Sequence, residues 1–271
     1  VTDDGVARIA RAFARAADEG RAALIVYLTA CYPDAETSIA CVEAAVAAGA
    51  DVVEVGLPFS DPIMDGPVIQ AANQHVLDAG TTLSDELRMV AALDHLDVPR
   101  LVMTYVTVAD TRGYERFAEQ CAAAGVAGVI LPDLPVTEAE RWRAAAGQHG
   151  LATVFLASSV SSDERLDAIA GAASGWVYAA GLLGVTGVHG VDDGPTRALV
   201  ERLRARTTTP IAVGIGVRDA DDARRVAGYA DGVIVGSALL RAVGDGPTAE
   251  APARVGRLVA DLRRGLAGAE R

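Results

Sequence analysis

Residues 53–67 read VEVGLPFSDPIMDGP. Together with Val52 they make a short apolar run, a loop rich in Gly and Pro, and a proline, Pro67, suited to the first turn of a helix running through Leu77. A strand, a loop and a helix start thus share one stretch, which is the repeating unit of an α/β fold. Glu54 interrupts the apolar run Val52, Val53, Val55. A carboxylate in such a place must find a partner, stay protonated or do chemistry. Asp65 stands at the far end of the loop. The bland reading makes Glu54 a buried, hydrogen-bonded carboxylate and Asp65 a turn residue before Gly66, and the functional one makes them a pair across one site. Asp61, before Pro62, fits a turn.

The same unit recurs outward from this stretch. Upstream, Val6 to Ala17 has apolar residues at helical spacing and reads as a leading helix that plugs the bottom of a barrel. Leu24 to Thr29 is a strand, and Pro33 with Asp34 opens a helix to about Ala48, closed by Gly49. Downstream come a helix over Ser84 to Leu96, a strand over Leu101 to Tyr105, a helix over Tyr114 to Ala124 and a strand over Val126 to Leu131. Thr137 and Glu140 pattern as a capping box for a helix to His149. Strands follow at Thr153 to Ala157, Trp176 to Ala180, Pro210 to Val213 and Gly232 to Val235, with a helix from Asp163 to Ala170 between the first two. The strands are near-continuous apolar runs, as expected of parallel strands buried on both faces. A chain of 271 residues could hold two small domains or one barrel of roughly 250 residues. Alternation without a composition break selects the second: a single α/β domain over residues 1–271, a (β/α)8 TIM barrel with an extra N-terminal helix.

Composition removes several function classes. The net charge is −12 with the acidic residues spread along the chain, which argues against binding nucleic acid. No apolar run approaches the roughly 18 residues of a membrane span, and Asp3 and Asp4 replace any signal-peptide core, so the expected location is the cytoplasm. Cys31, Cys41 and Cys121 lie in apolar or helical contexts without metal spacing and read as small core residues of a reducing compartment. His75, His95 and His149 fall in helical segments and His189 in a loop, with no His, Cys and carboxylate set at ligand spacing, so no metal is expected. The chain contains no lysine. Schiff-base chemistry and covalently held pyridoxal phosphate both need a lysine amine, so neither belongs to this chain alone, and no cofactor is expected.

Active sites of such barrels form at the C-terminal ends of the strands. Three Gly clusters fall there: Gly184-Val185-Thr186-Gly187 after the sixth strand, Gly214-Ile215-Gly216 after the seventh, and Gly236-Ser237 after the eighth. Each alone is a common turn. Two on adjacent strands, with Ser237 as an extra donor, point to a phosphate held by backbone amides and a helix N-terminus. This reconciles an acidic protein with an anionic ligand.

Taken with Tyr27-Leu28-Thr29, Phe59-Ser60-Asp61-Pro62, Asp65-Gly66-Pro67, Met103-Thr104-Tyr105 and Pro132-Asp133-Leu134-Pro135, these clusters make nearly the whole chain resemble the α subunit family of tryptophan synthase. The resemblance implies cleavage of indole-3-glycerol phosphate to indole and glyceraldehyde 3-phosphate. By it, Glu54 matches the general acid/base, Asp65 the carboxylate on the indole nitrogen, and Tyr178 a tyrosine beside the glutamate. Thr186, Gly187, Ile215, Gly216, Gly236 and Ser237 match the phosphate site and its loop, and Tyr27, Met103, Ile130, Leu156, Ile215 and Ile234 the apolar walls around the indole.

The chain departs from the family pattern in loops that, by resemblance, cover the site and contact a β subunit in an αββα complex. Met64 stands where Ala is usual, Thr107-Val108 where Asn-Pro is usual, Gly181-Leu182 where Ser and often Arg are usual, and Val188-His189-Gly190 follow the Gly184 to Gly187 cluster. The readings left open are an ordinary α subunit, a standalone lyase of a specialised pathway, and a catalytically silent homologue that regulates a partner. A phosphoribosyl-isomerase type of barrel would share the Gly pairs but not the opening loop.

Overall fold

The computed structural model describes residues 4–181, 193–214 and 216–267. The strands are β1 (Ala23–Thr29), β2 (Val52–Gly56), β3 (Arg100–Met103), β4 (Gly128–Ile130), β5 (Ala152–Ala157), β6 (Val177–Ala180), β7 (Ile211–Gly214) and β8 (Gly232–Val235). All pair in parallel in chain order, and β8 closes on β1 through Ile25 beside Ile234. The helices are α1 (Gly5–Asp18), α2 (Ala35–Ala47), α3 (Pro67–Asp78), α4 (Leu83–Ala92), α5 (Val106–Arg112), α6 (Tyr114–Ala123), α7 (Glu140–Gln148), α8 (Asp163–Ala172), α9 (Gly194–Arg204), α10 (Ala220–Ala227), α11 (Ser237–Gly244) and α12 (Ala251–Leu266). The barrel expected from the alternation of strands and helices is the observed one.

Successive strand residues face opposite sides, so each apolar run feeds two cores. Leu24, Val26, Val53, Val55, Val102, Val129, Val177, Val213 and Val233 point outward under the helices. Ile25, Val52, Leu101, Ile130, Val154, Ala212 and Ile234 point inward and fill the barrel. Ile9, Ala12, Phe13 and Ala16 of α1 join this inner cluster, and Phe13 packs on Trp176 with ring centroids 6.0 Å apart. Thus α1 closes the bottom. Its first residue must be glycine, because a Cβ on Gly5 would fall on the Ala127 carbonyl.

Three local expectations need correction. The third strand ends at Met103 rather than Tyr105, because Tyr105 caps α5, a helix absent from the sequence reading. The Val106 amide that opens this helix is held by Asp133 Oδ1 at 2.8 Å. Thr137 and Glu140 form no capping box: Pro135 leads into a 3-10 turn over Val136–Glu138, and Glu140 starts α7 without a side-chain cap. The helix opened near Ser84 stops at Ala92, and its real cap is Thr82 with Asp85, a reciprocal pair one register earlier.

Candidate active site

Strand register gathers the site. Tyr27 of β1 lies beside Glu54 of β2, Met103 of β3 beside Ile130 of β4, and Leu156 of β5 beside Tyr178 of β6. All occupy inward positions toward the C-terminal ends of their strands, so the walls named from sequence surround one mouth. Tyr27 and Tyr178 fit because the next strand yields space. A Cβ on Gly56 would collide with the Tyr27 hydroxyl, and one on Gly214 would lie 2.5 Å from Tyr178 Oη.

Glu54 is 1% exposed, and its Oε1 has no hydrogen-bond partner. Burial alone pushes its carboxyl up to about 8, so the acid is mostly protonated at neutral pH. Such a group is costly to the fold and useful to chemistry. The Tyr27 and Tyr178 phenols are held far above their ordinary range, first by burial and then by Asp65 for Tyr27 and by Glu54 for Tyr178. Both are therefore neutral hydroxyls. Glu54 sits in register with Tyr27, and Asp65 is linked through Asn73 to Thr29, two residues further along β1, so the two carboxyls flank one mouth.

Asp65 arrives on the loop between β2 and α3, one residue before the Gly66 cap and the Pro67 that starts the helix. The loop is pinned at several points. Leu57 N donates to Met103 O at 2.8 Å, Met64 N donates to Tyr105 Oη at 2.9 Å, and Phe59 stacks on the Tyr105 ring at 5.2 Å. Gln70 Nε2 donates to the Asp65 carbonyl at 2.8 Å. Asn73 Nδ2 donates to Asp65 Oδ2 at 3.0 Å, and Thr29 Oγ1 donates to Asn73 Oδ1 at 3.4 Å. Burial raises the Asp65 carboxyl, while hydrogen bonds from Tyr105 and Asn73 pull it back.

Sequence reading named Asp65 but missed Tyr105, Asn73 and Thr29 as its supports. Asn73 lies eight positions beyond Asp65 and faces inward from α3, where it is buried. The available signal was a polar residue beside Ala72 and Val76 on the apolar face of that helix.

At the ends of β7 and β8, Gly216 takes φ +74°, and Gly236 caps α11 directly before Ser237. The first amides of a helix have no partner within it, so this end offers donors to an anion. Of the remaining predicted residues, Thr186, Gly187 and Ile215 lie outside the described residues. Among the described residues no group of three His, Cys, Asp or Glu side chains is placed to hold a metal ion.

Known proteins similar to this chain match it over nearly its whole length. The family model described as tryptophan synthase alpha chain matches residues 13–264. The chain is 50% identical over 257 residues to the tryptophan synthase alpha chain of Streptomyces coelicolor, covering 94% of this chain and 95% of that one. It is 45% identical to that of Thermobifida fusca, covering 96% and 98%. Among solved structures, tryptophan synthase of Mycobacterium tuberculosis superposes with a TM-score of 0.89 at 41% identity, covering 96% of this chain and 98% of that chain. The alpha subunit of Legionella pneumophila gives 0.87 at 32% identity, covering 96% and 98%.

Proposed function

The chain belongs to the tryptophan synthase alpha chain family and is a lyase of tryptophan biosynthesis that cleaves indole-3-glycerol phosphate to indole and glyceraldehyde 3-phosphate; from that premise we propose which of its residues do the work. Glu54 moves the protons, Asp65 binds the indole nitrogen, and Tyr178 stands beside Glu54. The observation that carries this assignment is the burial of Glu54, protonated and with a free oxygen, inside a mouth it shares with Asp65.

Retro-aldol cleavage needs an electron sink, and a chain without lysine cannot form a Schiff base. The indole serves instead. Protonated Glu54 gives its proton to C3 of the ring, leaving an indoleninium whose positive charge the Asp65 carboxylate stabilises at the nitrogen. Glu54, now a carboxylate, takes the proton of the glycerol hydroxyl next to the bond. The carbon–carbon pair returns to the ring, indole leaves, and the aldehyde of glyceraldehyde 3-phosphate forms. A carboxyl poised near 8 suits both halves of this exchange.

Gly216, Gly236 and Ser237 hold the phosphate with the N-terminal amides of α11, joined by Thr186, Gly187 and Ile215. Tyr27, Met103, Ile130, Leu156 and Ile234 enclose the indole. One barrel domain carries the activity in the cytoplasm, and the three buried free cysteines suit a reducing compartment. The test is Glu54→Gln: cleavage is abolished while binding of a phosphate-bearing analogue stays nearly intact, and an active variant refutes the mechanism.

The chain works with a β subunit. Ile63, on the loop that delivers Asp65, and Val160, after β5, are the large apolar side chains left open to solvent among the described residues, at 78% and 80% exposure. Both stand on loops that follow the C-terminal ends of strands, the face on which a β subunit covering the mouth would sit. Adding a cognate β subunit raises turnover many-fold on this reading. Unchanged turnover favours the standalone lyase instead.

A further inference from the structure

We propose that Asn73 is a positioning residue for Asp65: clamped by Thr29, it fixes one carboxylate oxygen so that the other meets the indole N–H. The inference deepens the reading that Asp65 binds the ring nitrogen and rests on it. A carboxylate only accepts hydrogen bonds, so the amide end of Asn73 facing Asp65 Oδ2 must be its NH2, at 3.0 Å. The carbonyl end then faces Thr29 Oγ1 at 3.4 Å, and the threonine hydroxyl must spend its proton there. Both donors thus point from β1 toward Asp65, Thr29 to Asn73 and Asn73 to the carboxylate.

Burial shields the Thr29–Asn73 link from water. Asn73 is 4% exposed and Thr29 1%, so water is poorly placed to substitute for either. Thr29 ends β1 and Asn73 sits in α3, so the series ties a loop-borne carboxylate to two rigid elements. A merely structural Asn73 would satisfy its own polar atoms and leave ligand choice alone. A positioning Asn73 changes which ring the site prefers.

The test compares two ligands that cannot be cleaved: the alkyl phosphate of indole without glycerol hydroxyls, and its benzofuran counterpart, in which oxygen replaces the ring N–H. The measured quantity is the ratio of their dissociation constants by calorimetry. The intact protein favours the indole. Asn73→Leu lowers that preference about tenfold, and Thr29→Val, which exchanges only a hydroxyl for a methyl, lowers it about threefold. An unchanged ratio in either folded variant overturns the proposal, and if Asn73→Leu does not fold, Thr29→Val decides alone. Asp65→Ala separates the two layers. If it keeps the preference for indole, the nitrogen-binding reading itself fails. If it loses the preference while the Asn73 and Thr29 variants keep it, only the positioning role falls.

Discussion

Glu54 makes the fold and the reaction pull in opposite directions. Its carboxyl titrates near 8 in the folded chain against an ordinary value of 4.5. Between these values the folded state holds a proton that the unfolded state has released. Stability from this group is therefore fully present below about 4.5, declines as pH rises, and is gone above about 8. The span corresponds to roughly 5 kcal/mol. Glu54→Gln, which cannot ionise, should be the more stable protein at pH 9, with the difference shrinking toward pH 5, as denaturant titrations at both pH values will measure. Glu86, also pushed to about 8 by burial and the neighbouring Asp85, adds the same trend to both proteins and cancels in the comparison. Activity should fall as pH rises through about 8, because the first step needs the protonated acid.

At the scale of elements, strands were legible because burial on both faces leaves runs such as Leu24 to Thr29 almost wholly apolar. Polar supports were not. Arg100 opens β3 fully buried, and its guanidinium donates to the carbonyls of Leu93 (2.7 Å), Leu96 (3.3 Å) and Gly125 (3.2 Å) and to Asp94 (2.6 Å). It fastens the end of α4 and the turn after α6 to the barrel, a role no local pattern announces. Arg100→Met should cost about 3 kcal/mol, since it removes every hydrogen bond that a fully buried guanidinium makes to these turns, and denaturant unfolding checks it. Helix α5 escaped notice for a related reason: its opening amide is held by Asp133, a residue from the next strand–loop unit. Gly214→Ala should lower stability by about 1–3 kcal/mol by pressing on Tyr178, and Tyr178→Phe should restore most of it, as paired thermal melts will show.

At the scale of the whole molecule, the barrel has a packed end and a chemical end, and damage to one should leave the other legible. Phe13→Ala empties the bottom plug beside Trp176 and should cost about 3 kcal/mol. The folded fraction should nevertheless retain its kcat, because the mouth lies at the opposite end of the strands. The candidate site itself was readable in Glu54, Asp65 and the late glycines, since chemistry needs residue types that a core avoids. The glycines facing Tyr27 and Tyr178 were not readable as clearances, because their meaning depends on a side chain from the neighbouring strand. That dependence sets an order on sequence drift. Neither Gly56 nor Gly214 can grow while its tyrosine is in place, whereas each tyrosine can shrink at any time. Descendants of this chain that line the pocket differently must therefore have changed the aromatic position first and the glycine second, and an engineer enlarging the pocket has to follow the same itinerary.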